Sequence, residues 1–242
     1  VCNLIVSDVP GDNPGEVASR PTIPGRPSAA EVLAQLASRG ITLPDRLMDH
    51  LRAQPDETPT DQTDRVETQV IASAAISLNA AAEAARAQGV NAWVMSDRIE
   101  GEARDVAQVH AALALQAADS GVPFAAPFVM LSGGETTVTL RHKGRGGRNA
   151  EFQLALSLAL DGTEGITALA ADTDGIDGSE DNAGAFADGT TAARMRKAGI
   201  DPSAMLQGND AYTAFAGIEA LFMTGPTGTN VNDFRAILIG DL

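Results

Sequence analysis

Four cationic residues, Arg141, Lys143, Arg145 and Arg148, fall within eight consecutive positions, and Gly144, Gly146 and Gly147 lie among them. The whole chain carries only 17 Lys and Arg against 32 Asp and Glu, a formal net charge of −15. Like charges crowd together when something offsets their repulsion, and a bound anion does so. Glycines let the backbone come close to that anion. The apolar run 152–160 that follows reads as a helix, whose first turn offers free N–H groups and the positive end of its dipole. The chemistry that such a stretch serves is anion binding, phosphate above all. A solvated hairpin tip has the same composition, and basic, Gly-rich loops are weak as motifs, so both readings stand at this point.

Four further loops carry polar chemistry: residues 7–12, 132–135, 172–181 and 224–233. Each follows a short apolar run and is rich in Gly, Asp, Ser, Thr or Asn. In open α/β sheets ligands bind outside the carboxyl ends of the strands, and several such loops together point to one pocket. The third loop holds Asp172, Asp174, Asp177, Glu180 and Asp181. A hard cation takes carboxylate oxygens, and magnesium needs only one or two beside phosphate oxygens. Asp174 and Asp177 are therefore candidate metal ligands, against the plainer reading of an acidic turn closed by Asx caps. The loop is not an EF-hand, because its twelfth position is Ala183. There is no P-loop, no G-x-G-x-x-G fingerprint and no G-x-S-x-G elbow. Three histidines and one cysteine make no recognisable zinc site. Carboxylates, arginine and Gly-rich loops without a nucleophile fit phosphoryl transfer, which needs positioning and charge neutralisation more than covalent chemistry.

The elements that must position these loops alternate. Strands are expected at 3–6, 68–73, 90–95, 128–131, 136–140, 166–171, 221–223 and 236–239. Helices are expected at 28–40, with Ser28 and Glu31 as a capping box, and at 45–53, 75–88, 102–120, 150–160, 190–198 and 211–216. Asn149 reads as the N-cap of the helix after the basic loop. The order β-α-β over 68–95 favours a parallel sheet. Val106, Val109, Leu113 and Ala117 mark the expected buried stripe of the helix at 102–120, and His110 beside them reads as a core or interface residue. The Pro-rich segment 13–27 and the acidic segment 54–65 read as loops. Composition shifts at Gly121-Val122-Pro123, which sets an expected domain boundary near 120–127.

With 242 residues the chain is long enough to bury on the order of 70% of its unfolded surface. Apolar residues make up 44% but aromatics only 4%, so the core must be built from aliphatic side chains and alanine. The negative charge argues against nucleic acid and anionic membranes as partners. No apolar run approaches the roughly 18 residues that span a bilayer. A single cysteine, Cys2, allows no internal disulfide and fits a reducing compartment, so a cytoplasmic location is expected.

The motifs, taken in order, resemble the MOFRL family of class II glycerate kinases, many of which are labelled hydroxypyruvate reductase. They are Ser132-Gly133-Gly134-Glu135-Thr136-Thr137-Val138, Gly146-Gly147-Arg148-Asn149, the run Asp172-Thr173-Asp174-Gly175-Ile176-Asp177-Gly178, and Gly225-Pro226-Thr227-Gly228-Thr229-Asn230-Val231-Asn232-Asp233. Ser7-Asp8-Val9-Pro10-Gly11-Asp12 and Pro21-Thr22 are similar to that family's first domain. The resemblance runs over essentially the whole chain. It implies an α/β protein of two domains, the remainder of a Rossmann-like α/β domain at 1–122 followed by a smaller MOFRL-type α/β domain at 123–242. It implies ATP-dependent phosphorylation of D-glycerate to phosphoglycerate, 2-phosphoglycerate by expectation, with Mg2+ and a site between the domains. Glycerate and nucleotide are the partners so implied, and a homodimer is left open.

By the same match Arg148 grips the transferring phosphoryl group or the glycerate carboxylate. Asp8 and Asp174 hold metal or accept the hydroxyl proton, and Ser132, Gly133 and Gly134 cradle an anion. Glu135, Asn149, Thr227, Asn230 and Asp233 complete the binding site. Val1 is not a methionine and opens directly on a strand. Residues upstream are therefore expected, among them the family's Gly-Lys-Ala-type motif with a catalytic lysine. Arg20 departs from the glycine that the family usually has before Pro21-Thr22. Two other readings are a nicotinamide-dependent hydroxypyruvate reductase and an inactive binding fragment of the kinase.

Overall fold

A computed structural model describes residues 1–17, 23, 27–54 and 66–241. Arg20, Pro21 and Thr22, and most of the acidic segment expected as a loop at 54–65, lie outside the described residues. Two compact units divide the chain. One gathers Val1–Ile5 and Asn13–Val70, the other Val6–Asp12 and Ile71–Leu242. The strands on either side of 120–127 pair with one another and lie in the same unit. No helix among the described residues is long and apolar enough to cross a membrane.

The first unit carries β1 (Cys2–Val6) except Val6, α1 (Ala29–Ser38), α2 (Asp45–Ala53) and β2 (Glu67–Ala72) except Ile71 and Ala72. The Ser28 side chain accepts from the Glu31 N–H while the Glu31 carboxylate accepts from the Ser28 N–H, the reciprocal capping box that the sequence indicates. β2 pairs with β1, so it forms no sheet with the strand that follows the next helix. The parallel pair expected over 68–95 is corrected accordingly: a β-α-β order names a crossover only when both strands enter the same sheet.

The second unit is an α/β sandwich. Its elements are α3 (Ala74–Ala87), β3 (Asn91–Glu102), α4 (Ala103–Ser120), β4 (Phe128–Thr137), α5 (Arg148–Ala159), β5 (Ile166–Asp172), β6 (Gly184–Asp188), α6 (Thr191–Lys197), α7 (Pro202–Gln207), α8 (Ala211–Ala216), β7 (Leu221–Phe222) and β8 (Asp233–Ile239). Six strands form one sheet in the order β3-β4-β8-β5-β6-β7. Only β3 and β4 run parallel, joined by the crossover helix α4; the other four pairings are antiparallel. Alternation along the strands separates the faces. Phe128, Met130, Ile237 and Ile239 pack under α4 and α5, while Leu131, Phe234 and Ala236 pack under α3.

The buried stripe of α4 is Ala103, Ala107, Ala111, Ala114 and Ala117 with His110. The expected stripe is corrected in part, since Val109 is 61% exposed. Small side chains bring the helix close to the sheet, and the larger apolar residues fall to its sides. In α5 every residue from 149 to 157 is buried, as expected of a helix packed on all sides in a core. This most enclosed helix begins at Arg148.

Residues 132–135 form no loop. They continue β4 between β3 and β8, with Gly133 opposite Phe234 and Gly134 opposite both Ile99 and Asp233. Gly134 has φ +119°, and a Cβ there would stand 2.2 Å from the Ile99 backbone nitrogen. The glycine serves a tight strand-to-strand approach at a bulge in β3.

Candidate active site

Arg148 enters α5 with its guanidinium surrounded by carboxylates. Nε donates to Asp233 Oδ1 at 2.6 Å, Nη1 to Glu135 Oε1 at 3.0 Å and Nη2 to Asp172 Oδ2 at 2.7 Å. Its side chain is 22% exposed. It lines a cleft of about 770 Å3 together with Glu100, Glu135, Thr136, Thr137 and Gly178. Burial works against the charge, but Asp233, Asp172 and Glu135 more than offset it and hold the guanidinium protonated. A planar fork held on three sides presents its remaining N–H groups in a fixed direction, which suits recognition of a phosphate or carboxylate.

Asp233 is the hub. Its Oδ1 accepts from Arg148 and from Asn149 Nδ2 at 2.9 Å. Its Oδ2 accepts from the Thr136 N–H at 3.0 Å, the Thr136 hydroxyl at 3.1 Å and Arg235 Nη2 at 2.5 Å. The side chain is fully buried. Asp233 is the first residue of β8 and pairs with Gly134 on one side and Asp172 on the other. Three residues from separate motifs therefore meet at one rung of the sheet.

Asp177 does other work. Its carboxylate accepts from the N–H groups of Asn149 at 2.9 Å and Ala150 at 2.8 Å, and it is wholly buried. The free helix N-terminus expected after the basic loop is thus closed by a carboxylate 28 residues ahead in the sequence. The N-cap position is Gly147, not Asn149. A Cβ on Gly147 would lie 2.3 Å from Asp177 Oδ1, so this glycine admits the cap rather than an anion. Burial pushes the Asp177 carboxyl up to about 6, opposed by those same N–H groups. Its place as a metal ligand is corrected, because both oxygens face the helix.

The basic loop leaves Arg141, His142, Lys143 and Arg145 exposed, while its backbone is tied down. Asn209 Oδ1 accepts from the N–H groups of Arg141 and His142. Arg145 pairs with Glu180 at 3.0 Å through Nε and lies 4.1 Å above the Tyr212 ring. Ser132 is buried, and its hydroxyl meets His110 Nε2 at 2.9 Å. His110 Nδ1 faces the Val106 carbonyl at 2.8 Å, which assigns the proton to Nδ1 and makes Nε2 the acceptor. Burial holds His110 neutral, down to about 4. Ser132, Gly133 and Gly134 are thereby corrected as an anion cradle: the hydroxyl is spent on His110, and both glycines lie within the sheet.

The remaining candidates do not touch Arg148; Asp174 is linked to it through Asp172, whose Oδ1 accepts from the Asp174 N–H at 3.2 Å. Asp174 Oδ1 accepts from the Ile176 N–H at 2.8 Å and its Oδ2 from Asn230 Nδ2 at 3.2 Å. The Thr227 hydroxyl donates to the Thr173 carbonyl at 2.6 Å. Asn232 Nδ2 donates to the Asp8 carbonyl at 2.6 Å, which carries the exposed Asp8 to the same end of the sheet. Among the described residues no group of three or more His, Cys, Asp or Glu is placed to hold a metal ion.

Two participants were not singled out as site residues from the sequence. Asp172 is one of five acids in its loop, and Arg235 falls before the strand expected at 236–239. Burial pushes the Asp172 carboxyl up to about 7, against the pull of Arg148. Its folded value thus lies above the ordinary one near 4. Its contribution to stability is fully present below about pH 4 and is lost as the pH rises through about 7. The unfolding free energy of the wild type minus that of Asp172→Asn, read by urea denaturation from pH 4 to 8, is expected to fall across that window. A flat difference would exclude the shift.

These residues lie within recognised sequence families. Residues 128–233 match the MOFRL family, and residues 1–52 match a domain of unknown function (DUF4147). A protein of Agrobacterium vitis, provisionally named hydroxypyruvate reductase, is 52% identical over 98% of this chain and 54% of its own length. The crystal structure of glycerate kinase from Thermotoga maritima superposes with a TM-score of 0.87 at 34% identity, over 98% of this chain and 56% of that one. A glycerate kinase of Macaca fascicularis is 30% identical over 99% of this chain and 72% of its own length. The chain thus spans little more than half the length of several curated relatives. Alike in sequence over nearly all its residues and alike in fold, it belongs to the MOFRL glycerate kinase family.

Proposed function

We propose that this chain serves ATP-dependent transfer of a phosphoryl group to a hydroxyl of D-glycerate, giving phosphoglycerate, with 2-phosphoglycerate as the product. The observation that carries the reading is the Arg148 guanidinium, fixed by three carboxylates at the edge of the cleft. Phosphoryl transfer asks for fixed positive charge against the equatorial oxygens, and bidentate arginine supplies it. The acceptor hydroxyl must also lose a proton, and Asp174 and Asp8 are the carboxylates proposed to take it. Asn230 steadies Asp174 for that role. Glu135 and Thr227 shape the wall around the substrate.

Magnesium, when bound with the nucleotide, neutralises phosphate charge. It needs only one or two protein carboxylates, which Asp174 and Asp8 can supply and Asp177 cannot. A cytoplasmic location goes with this reading.

The name given to the Agrobacterium vitis relative favours a second reading, reduction of hydroxypyruvate. The full product of the gene that encodes this chain separates them. Consumption of glycerate that requires ATP and leaves NAD(P)H untouched supports the kinase. Oxidation of NAD(P)H by hydroxypyruvate without ATP overturns it.

A further inference from the structure

Arg235 is a fully buried arginine in the middle of the apolar strand β8. Nη2 reaches the Thr136 hydroxyl at 3.0 Å and Asp233 Oδ2. Nε and Nη1 have no hydrogen-bond partner among the described residues. Its Cζ lies 5.0 Å from the centre of the Phe152 ring, and that ring meets His110 edge-on at 5.2 Å. An apolar side chain of similar volume often fills such a place as stably as a buried ion pair. Unsatisfied buried donors call for an explanation of their own.

The explanation lies in the count of charges. Arg148 faces three carboxylates, Asp233, Asp172 and Glu135, and each one that no other cation answers weakens its pull on an anion. Arg235 pairs with the far oxygen of Asp233, so one of those three carboxylates is answered from behind. We propose that Arg235 is a positioning residue for Arg148: it neutralises Asp233 so that Asp233 orients the Arg148 fork without consuming its charge. The inference rests on the kinase reading above for its effect on turnover, but not for its effect on Arg148. Arg235 does not line the cleft, so it acts through Asp233 rather than on substrate.

The test uses the full gene product carrying Arg235→Met or Arg235→Lys. The Arg148 Nε–H resonance is assigned by its absence from Arg148→Lys, and its exchange with water is followed by NMR. In folded Arg235→Met that exchange is expected to quicken at least tenfold and turnover to fall at least tenfold, with Arg235→Lys restoring much of both. A folded Arg235→Met with unchanged exchange and turnover overturns the proposal. Should Arg235→Met fail to fold, Arg235→Lys decides, and loss of the Arg148 signal in that charge-preserving variant overturns it. Failure of both variants to fold would leave Arg235 a core residue only, and also overturns it. If the wild type transfers no phosphoryl group while the Arg148 exchange responds as stated, the kinase reading falls and the positioning role stands.

Discussion

Arg148→Lys is expected to lower phosphoglycerate formation by about two orders of magnitude while the chain stays folded. The magnitude follows from what one oriented donor contributes to a charged transition state, about 10^2–10^3 in rate. Lysine keeps the charge but is a point on a flexible stem, whereas Arg148 spends three nitrogens on three carboxylates and so fixes the plane of its fork. A lysine ammonium can answer one or two of those carboxylates, not all three in one plane. The lost hydrogen bonds cost stability as well, about 1–3 kcal/mol, short of unfolding a typical domain. Steady-state turnover and a urea midpoint measured on the same preparation separate the two effects. A rate within threefold of the wild type would remove Arg148 from the chemistry.

Much of this arrangement was legible in the chain, and the rest was hidden for identifiable reasons. The apolar runs and their Gly, Asp and Asn loops announced an α/β protein with chemistry at strand ends, and the capping box at Ser28 and Glu31 was local enough to be read directly. Arg148 stood out because it lies between glycines and a long apolar run. What escaped was decided by pairing between distant residues. Asp177 reads as a candidate metal ligand in an acidic loop, yet it caps α5 from 28 positions away. The glycines at 133 and 134 looked like a phosphate loop because glycine signals close approach without saying to what; here the approach is to a neighbouring strand. Asp233 reads as one of several residues completing the binding site and Arg235 as no site residue, because burial of an ion pair leaves no trace in hydropathy. In α4 the large apolar residues drew the expected stripe, whereas alanine, nearly silent in such a reading, carries the packing.

Asp233→Asn tests the hub itself. Five donors converge on the two oxygens of Asp233. An asparagine of the same shape offers one oxygen and turns an N–H2 group toward the other set. Whichever way the amide faces, donors confront donors, and Arg235 loses the carboxylate it pairs with while Arg148 keeps Asp172 and Glu135. Removing one partner of a buried charge pair costs about 3–5 kcal/mol, against a total stability of about 5–15 kcal/mol for a typical domain. The variant is therefore expected to unfold at a much lower urea concentration and to lose activity along with the loss of Arg148 orientation. Glu135→Gln is the control. Glu135 also pairs with Arg148, but its side chain is 49% exposed, and exposed pairs contribute about 1 kcal/mol or less. Equal losses in the two variants, or a loss below about 1 kcal/mol in Asp233→Asn, would show that the buried carboxylate does not organise the two arginines.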